Sequence, residues 1–313
     1  MQFLAGVGAA GQVGVAGYFA GGTTGIIQSG IEKVTFPADT ISTLSATLTT
    51  GRRYPGGFAD SGVAGYVGGG TDGTEQSGID KITFPADTKT TLSATLTSAR
   101  QGLAGFSNSG VAGYFGGGTS GGTHQSNIDK IAFPADTKTT LAATLTTITS
   151  FFGTSGMANY GVAGYFGGGT NGSDFSRIDK IAFPADTKTT LSATLTNAAY
   201  TVAGMADSGV AGYFGGGFMT ASSIELNVID KITFAADTKT TLSATLSSAR
   251  AWVTGMADSG VAGYFGGGGE AAGATYLSGV DKIAFPADTK STLSATLSQN
   301  KYGMAGFANC GVF

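Results

Sequence analysis

The sequence predicts an all-β protein made of six copies of one four-stranded antiparallel sheet, in a single domain over residues 1–313. The phrase Gly-Val-Ala-Gly-Tyr-Phe-Gly-Gly-Gly, at residues 110–118, returns with small changes along the chain. Ile-Asp-Lys-Ile-Ala-Phe-Pro-Ala-Asp-Thr-Lys follows each copy, and the C-terminus begins a seventh copy. A period of about 50 residues is typical of solenoids, propellers and arrays. The tyrosines of the first phrase are Tyr18, Tyr66, Tyr114, Tyr165, Tyr213 and Tyr264.

Turn signals divide each copy into four short strands. An Asx-Ser-Gly slot, as at residues 207–209, predicts a hairpin turn with positive φ at the glycine. Ile-Asp-Lys-Ile-x-Phe then predicts the third strand, and Pro-Ala-Asp-Thr-Lys ends it because proline donates no ladder hydrogen bond. The alternation of large and small residues at Leu92, Ala94 and Leu96 predicts a fourth strand over Leu-Ser-Ala-Thr-Leu.

The two chain ends favour a closed ring over a linear stack. A solenoid needs polar caps at its ends. Here residues 306–312 align with residues 105–111, whereas the N-terminus matches the repeat only from Gly14. The C-terminal segment is therefore predicted to supply the missing first strand of the first blade. The resulting fold is a six-bladed β-propeller, with residues 1–13 left over as a variant or peripheral segment.

Composition excludes several classes of partner. The formal net charge of -3 gives no basic stripe for a phosphate backbone, so a nucleic-acid partner is not expected. The single cysteine cannot form an intramolecular disulfide. No apolar run approaches the ~20 residues that span a bilayer, and the first 22 residues lack the basic start of a signal peptide. We expect a soluble protein, or part of a soluble particle, without membrane insertion.

The repeat resembles those of kelch-like β-propellers across essentially the whole chain. The shared features are an apolar run that ends in two or three glycines, a loop, two further strands and a basic residue shortly after the fourth strand. The downstream Tyr and Trp pair of that family is missing, and the Phe of Phe-Pro-Ala-Asp is expected to fill the core instead. The repeats are also similar to those of phage tail and fibre proteins, which implies a place in a virus particle. The basic slot is filled by Arg52, Arg100, Arg250 and Lys301.

Two segments of the repeat vary between copies. One is the loop after the glycines, at residues 71–78, 119–127, 170–177, 218–228 and 269–280. The other links the fourth strand to the next blade, at residues 52–57, 147–156, 197–202 and 250–254. Because connections in a meander alternate between the two ends of the sheet, both segments are predicted to lie on one face of the disc, here called the loop face.

The loop face collects most of the unusual side chains. Exposed aromatic residues and arginine are typical anchors for protein partners or sugar rings. The alternative is that loop sequences vary because few structural constraints act on them, so that such residues occur there without a binding role. The candidate binding residues are Arg53, Tyr54, His124, Phe151, Phe152, Phe175, Arg177, Tyr200, Phe218, Met219, Trp252, Tyr276 and Tyr302.

Catalytic and metal-binding residues are not predicted, and no cofactor is expected. His124 is the only histidine, so no second imidazole exists for a His-based metal site. Cys310 fills the serine position of an Asx-Ser-Gly slot and is interpreted as a turn residue. The Ile-Asp-Lys and Pro-Ala-Asp aspartates recur in nearly every copy, which favours a structural role, with calcium binding left open. A propeller glycoside hydrolase would need acidic residues clustered at the channel mouth.

The sequence therefore favours a non-enzymatic binding or structural protein. The first hypothesis is a virion component that contacts other virion proteins and recognises a host surface glycan or protein through the loop face. The alternative is a cytoplasmic kelch-like scaffold that binds another protein through the same loops. A homo-oligomer is compatible with either.

Overall fold

The computed structural model describes residues 15–146, 155–270 and 275–309. Within these ranges all regular structure is β-sheet, and six four-stranded antiparallel sheets carry the six repeats. The predicted all-β fold is therefore confirmed. In this part of the chain no helix is long and apolar enough to cross a membrane. The leftover segment predicted at residues 1–13 lies outside the described residues.

Each sheet is one blade, and its strands follow one another from the inside of the disc to its rim. Blade 1 contains β1 (Ala16–Ala20), β2 (Gly30–Thr35) and β3 (Thr40–Thr47), with β30 (Ala305–Ala308) added from the C-terminus. Blade 2 contains β4 (Gly56–Asp60), β5 (Ala64–Gly68), β6 (Ile79–Thr83) and β7 (Thr88–Thr91). Blade 3 contains β8 (Ala104–Asn108), β9 (Ala112–Gly116), β12 (Ile128–Ala132) and β13 (Thr137–Thr140).

The other three blades repeat the same order of strands. Blade 4 contains β14 (Ser155–Asn159), β15 (Ala163–Gly167), β16 (Ile178–Ala182) and β17 (Thr187–Thr190). Blade 5 contains β18 (Ala203–Asp207), β19 (Ala211–Gly215), β22 (Ile229–Thr233) and β23 (Thr238–Thr241). Blade 6 contains β24 (Thr254–Asp258), β25 (Ala262–Gly266), β28 (Val280–Ala284) and β29 (Thr289–Thr292). The loops of blades 3, 5 and 6 add two-stranded hairpins, β10 (Thr119–Ser120) with β11 (Thr123–His124), β20 (Phe218–Met219) with β21 (Ile224–Glu225), and β26 (Gly269–Glu270) with β27 (Thr275–Tyr276).

The first strands of the six blades form a closed ring around the axis. Strand β4 contacts β8, and the series continues through β14, β18 and β24 to β30, which contacts β4 again. Strand β30 also pairs with β1, with Tyr18 opposite Phe307. The predicted closure of the ring by the C-terminal strand is thus confirmed, and the chain forms a six-bladed β-propeller.

Glycine lets the inner strands pack backbone against backbone. A Cβ added at Gly105 would lie 2.4 Å from the carbonyl oxygen of Gly57, and one at Gly156 would lie 2.2 Å from that of Gly105. These distances are too short for any side chain, so only glycine fits. The second residue of the inner strand is glycine in all six blades, at Gly57, Gly105, Gly156, Gly204, Gly255 and Gly306.

The fourth strand differs from the prediction in its position. In blade 2 the outer strand is Thr88–Thr91, and the predicted strand over Leu92 to Leu96 lies outside it. Leu92 and Leu96 instead donate backbone hydrogen bonds to the carbonyls of Ile79 and Ser77, and Leu96 is buried. The alternation of large and small residues in this segment therefore does not mark a β-strand. It marks a segment after the strand whose leucines pack towards the core. Only blade 1 extends its outer strand further, over Thr40–Thr47.

Aspartates of the Pro-Ala-Asp turns join neighbouring blades. Asp136 accepts hydrogen bonds from the Tyr66 hydroxyl and the Lys81 ammonium of the preceding blade, both at 2.7 Å. Phe133 stacks on the same tyrosine with ring centroids 5.2 Å apart, which confirms that the Phe-Pro phenylalanines fill the core between blades. All six turn aspartates have positive φ and accept the same pair of bonds. Five follow Pro-Ala and one, Asp237, follows Ala235-Ala236; the six are Asp39, Asp87, Asp136, Asp186, Asp237 and Asp288.

A second set of buried carboxylates holds the link from one blade to the next. Asp129 accepts hydrogen bonds from the Thr97 amide and hydroxyl, from Thr140 and from the Arg100 guanidinium. Burial by itself raises the pKa of Asp129, but these hydrogen bonds and the guanidinium outweigh burial and hold the pKa below its usual range. The Ile-Asp-Lys aspartates therefore have structural partners, as predicted. Among the described residues, no group of three acidic, histidine or cysteine side chains could hold a metal ion.

On the face opposite the loop face, hydrogen bonds between the Asx-Ser-Gly turns join adjacent blades. The glycines of these turns have positive φ, as predicted, with Gly110 at 76°. The Asp60 carboxylate accepts a hydrogen bond from the Gly110 amide of the next blade at 2.7 Å, and Asn108 accepts the equivalent bond from Gly161 at 3.0 Å. These contacts between blades account for the near identity of the turns, because each one serves the same structural purpose.

Candidate functional site

The two variable segments of a blade lie side by side on the loop face. Arg53, in the link before blade 2, forms a β-bridge with Thr71 in the following loop, and Tyr200 forms one with Phe218. The bridge between Gln101 and Thr119 is equivalent. The antiparallel meander therefore gathers the variable segments as the sequence predicted.

The candidate residues of blades 3 to 5 form separate small groups. His124 lies in β11 and is half-buried. The Arg177 guanidinium lies 3.9 Å from the centre of the Phe175 ring. Tyr200 meets Phe218 edge to face at 5.6 Å, and Met219 packs against the core of blades 4 and 5. The remaining candidates of this region, Phe151 and Phe152, lie outside the described residues, as does Cys310.

The other five candidates meet in one cluster between blades 6, 1 and 2. The Tyr302 ring is central, with its centroid 4.6 Å from Tyr276, 5.2 Å from Trp252 and 5.9 Å from Tyr54. Arg53 lies 5.2 Å from the Tyr54 ring. The cluster thus combines residues from three separate links and one loop. Its most distant members in the sequence, Arg53 and Tyr302, are 249 positions apart.

Hydrogen bonds between hydroxyls hold the tyrosines of this cluster. Burial raises the pKa of Tyr54 above its ordinary value, and a hydrogen bond with Tyr302 raises it further. A hydrogen bond with Tyr302 is also the main cause of the raised pKa of Tyr276. The raised pKa values of Tyr54 and Tyr276 keep both phenols neutral at physiological pH, so these two side chains offer a ligand rings and hydroxyl groups instead of negative charge.

The predicted candidates are less exposed than a flat binding surface would require. Tyr54 and Phe218 are each 9% exposed and Tyr302 is 8% exposed. The expectation of freely exposed aromatic anchors is wrong for these three residues, because neighbouring loops pack over their rings. Trp252, Tyr276 and Arg53 are half-buried and present only part of their surface.

The cluster borders a depression at the axis, here called the axial pocket. It is lined by the residues just before and at the start of the inner strands, at 54–57, 102–105, 201–204, 252–255 and 303–306, together with Gly156. Its volume is about 110 Å³, smaller than the ~300–1,000 Å³ of a typical small-molecule cleft. The pocket therefore has room for one small group of a larger ligand.

Left-handed backbone shapes the rim of the axial pocket. Tyr54, Thr201 and Trp252 have φ of 59°, 58° and 53°, and glycines occupy the same slot at Gly102 and Gly303. Around the rim, the Gly303 amide donates to the Trp252 carbonyl, the Tyr54 amide to the Gly303 carbonyl, and the Gly102 amide to the Tyr54 carbonyl. Left-handed backbone costs a non-glycine residue roughly 1–2 kcal/mol, and such strain is concentrated at ligand clamps and active sites.

Two buried polar atoms at the axial pocket have no hydrogen-bond partner among the described residues. They are the Thr201 hydroxyl and the indole N–H of Trp252, on adjacent blades. Thr201 is only 3% exposed. A buried polar group without a partner costs about 1–3 kcal/mol, so an acceptor that reached into the pocket would gain from both groups.

Thr201 is the residue that sequence reasoning missed. It lies within the variable link at residues 197–202, but a threonine carries no signal by itself. Alignment of the six links would have shown it, because Thr201 shares its slot with Tyr54, Trp252 and three glycines, Gly102, Gly153 and Gly303. A slot that alternates between glycine and bulky residues indicates positive φ, which points to a strained position.

Comparisons with known proteins add no family to this description. No model of a protein family matches the chain, and no curated protein matches it significantly. The class of protein is therefore defined by its fold, the six-bladed β-propeller.

Proposed function

We propose that this propeller is a non-enzymatic, kelch-like binding protein that recognises a surface glycan through the axial pocket and the aromatic cluster beside it. The observation that carries the proposal is the pair of unpartnered buried groups, Thr201 and the Trp252 indole, at the edge of a pocket with strained backbone. A sugar hydroxyl can accept from the indole and can both donate to and accept from the threonine.

The aromatic cluster supports a sugar over a charged ligand. Tyrosine and tryptophan present an apolar ring together with a polar edge, which suits the mixed surface of a pyranose. The described residues that line the axial pocket include no carboxylate and no imidazole. Glycoside hydrolysis usually requires a pair of carboxylates, so we propose binding without cleavage.

The proposed setting is a virus particle, in a tail or fibre that contacts other virion proteins and the host surface. Its support is the likeness of the repeats to phage tail and fibre proteins and the division of the disc into one variable and one repetitive face. The alternative is a cytoplasmic scaffold that binds another protein through the loop face. The half-buried pair of Phe175 and Arg177 would then be a candidate anchor.

The test is a glycan array with a matched set of variants. Trp252→Gly should keep the fold, because glycine occupies the same left-handed slot at Gly102 and Gly303, and should weaken glycan binding at least tenfold. Tyr160→Ser is the control, since Tyr160 lies on the opposite face, is 57% exposed and has serine in the equivalent slot of most other repeats. Equal loss in both variants, or no binding by the unmodified protein, would reject the proposal. Capture of a protein partner that depends on Arg177 would favour the scaffold.

A further inference from the structure

One slot of the repeat holds a valine in every blade, on the face opposite the loop face. The valine directly follows a glycine, which in five blades ends the hairpin turn between the first two strands, and in those five blades the valine is 46–50% exposed. Eight large apolar side chains of the described residues are exposed, and six of them, five valines and Tyr160, lie on this face. The surface, here called the valine face, is centred on Val15, Val63, Val111, Val162, Val210 and Val261.

The fold does not require an apolar side chain in this slot. The Val63 amide donates to the Asp60 carbonyl at 2.9 Å, and the Val63 carbonyl accepts from the Phe84 amide at 2.8 Å. Any residue except proline makes both bonds, and threonine would suit the start of a strand equally well without exposing as much apolar surface. An apolar side chain that recurs at an exposed position of every blade therefore indicates a contact surface.

The turns beside the valines bond to one another around the axis. The Ser61 amide donates to the Ser109 hydroxyl of the next blade at 2.8 Å, and the Tyr160 amide donates to the Ser208 hydroxyl at 2.9 Å. Within the described residues, five of the six junctions between neighbouring blades have hydrogen bonds of this kind. The valines thus lie on a hydrogen-bonded belt, so the surface is already ordered and loses little conformational entropy when it binds a partner.

Further from the axis, the valine face continues as apolar surface with paired charges. Pro85 and Ala86, which follow the residue bonded to the Val63 carbonyl, are both exposed, as are the two equivalent residues of every other blade. The charged side chains of this region neutralise one another, since the Lys81 ammonium lies 2.7 Å from the Asp136 carboxylate and the same pair recurs in all six blades. Two such surfaces therefore meet without strong charge repulsion.

We propose that the valine face is the interface of a homodimer in which two propellers stack face to face. A surface that repeats six times around an axis needs a partner with apolar groups at the same intervals, and a second copy of this chain provides them. A two-fold axis in the plane of the interface places the same patch on both subunits, so the valines of one ring fit between those of the other. The two loop faces then point in opposite directions and remain open to solvent.

The valine face is large enough for a stable dimer. An interface of standard size covers about 800 Å² of each partner, which is about 7% of the 11420 Å² surface of the chain. One whole face of a disc is a larger share than this. An apolar centre surrounded by paired charges also matches the apolar core and polar rim of known interfaces. The dimer is independent of the proposed glycan, because the axial pocket lies on the loop face.

The test is the molar mass in solution, measured by analytical ultracentrifugation at about 1 to 100 µM chain. The dimer has a mass of 62 kDa, twice the 31.0 kDa of one chain. Interfaces of standard size have dissociation constants of about 1 µM or lower, so the dimer should dominate at 100 µM. It should also persist in about 1 M NaCl, because salt screens ion pairs but not apolar contacts. A mass of 31.0 kDa at 100 µM, or dissociation in the salt, would overturn the proposal; the first result would leave the face to a different protein.

Matched variants locate the interface. Val111→Lys combined with Val210→Lys should raise the dissociation constant at least about a hundredfold, because four apolar contacts of the dimer are replaced by charges. Ile224→Lys is the control, since Ile224 is 52% exposed and lies in β21 on the loop face, and this variant should remain dimeric.

Thermal melting shows whether each variant folds. If the lysine variant does not fold, Val111→Thr combined with Val210→Thr keeps the shape of the side chains and should weaken the dimer about tenfold. A dimer that withstands the substitutions of both valines in a folded protein, or that is lost in Ile224→Lys, would overturn the proposal.

Discussion

Replacement of Gly105 by alanine tests the packing of the inner strands. The new Cβ would lie 2.4 Å from the Gly57 carbonyl oxygen, against 3.4 Å for an ordinary contact, so the two blades must separate by about 1.0 Å. Overpacking of a core costs about 1–3 kcal/mol. We expect a loss near the upper end, about 3 kcal/mol, because both partners are backbone and neither can rotate away. An unfolding entropy of about 2.1 cal/mol/K per residue gives about 1.5 °C per kcal/mol for a chain of 313 residues, so the melting temperature should fall by about 5 °C.

Gly78→Ala is the matched control for this substitution. Gly78 also lacks positive φ, and a Cβ added there meets no atom within 4 Å. Both variants lose the same unfolded-state entropy, which favours folding by about 0.4–1 kcal/mol, so their difference isolates the clash. Differential scanning calorimetry of the three proteins gives the comparison. If Gly105→Ala melts within 1 °C of Gly78→Ala, roughly a fifth of the expected fall, the inner strands are not in backbone contact.

Three further predictions concern the contacts between blades. Phe307→Ala removes a ring that stacks on β1 at 5.1 Å, so unfolding in urea should show a loss of about 3–5 kcal/mol; a loss below about 1 kcal/mol would contradict closure by the C-terminal strand. Asp129→Asn leaves Arg100 buried without its counter-charge and should cost about 3 kcal/mol at pH 7. Because the folded pKa of Asp129 is lowered, the stability that its carboxylate contributes is fully present above the unfolded pKa of about 3.9. This stability is lost as pH falls through the folded pKa, so the free energies of unfolding of the two proteins should converge in acid. Tyr114→Phe removes the 2.8 Å bond to Asp186 and should cost about 1–2 kcal/mol in the same urea assay, and an unchanged midpoint would show that this bond adds nothing.

The sequence predicted the parts of the fold that depend on local chemistry. Glycine in the Asx-Ser-Gly slot predicted the positive φ seen at Gly110 because few other residues adopt it. Repetition predicted six blades, and alternation of connections predicted one variable face. The fourth strand was predicted C-terminal to its observed position, because the alternation of large and small residues around Leu92 is equally compatible with a non-strand segment whose leucines pack in the core. Periodicity cannot separate these two cases without the partner strand.

The candidate site was predicted in outline only. The aromatic residues of the loop face were identified by type, but their grouping around Tyr302 follows from ring closure, which brings blade 6 beside blades 1 and 2. The burial of Tyr54 and the unpartnered hydroxyl of Thr201 depend on loops from other blades.

The amino-acid sequence by itself determined the number of blades, the turns between strands and the segment that closes the circle, because each of these is set by residues close together in the chain or by repetition with small changes. Tertiary structure decided which side chains face one another across blades, and therefore where the axial pocket and the aromatic cluster lie. The physical reason is that contacts between blades join residues far apart in the chain, 29 positions for Arg100 and Asp129 and 50 positions for Asp60 and Gly110, and their geometry is fixed only when six sheets share one axis.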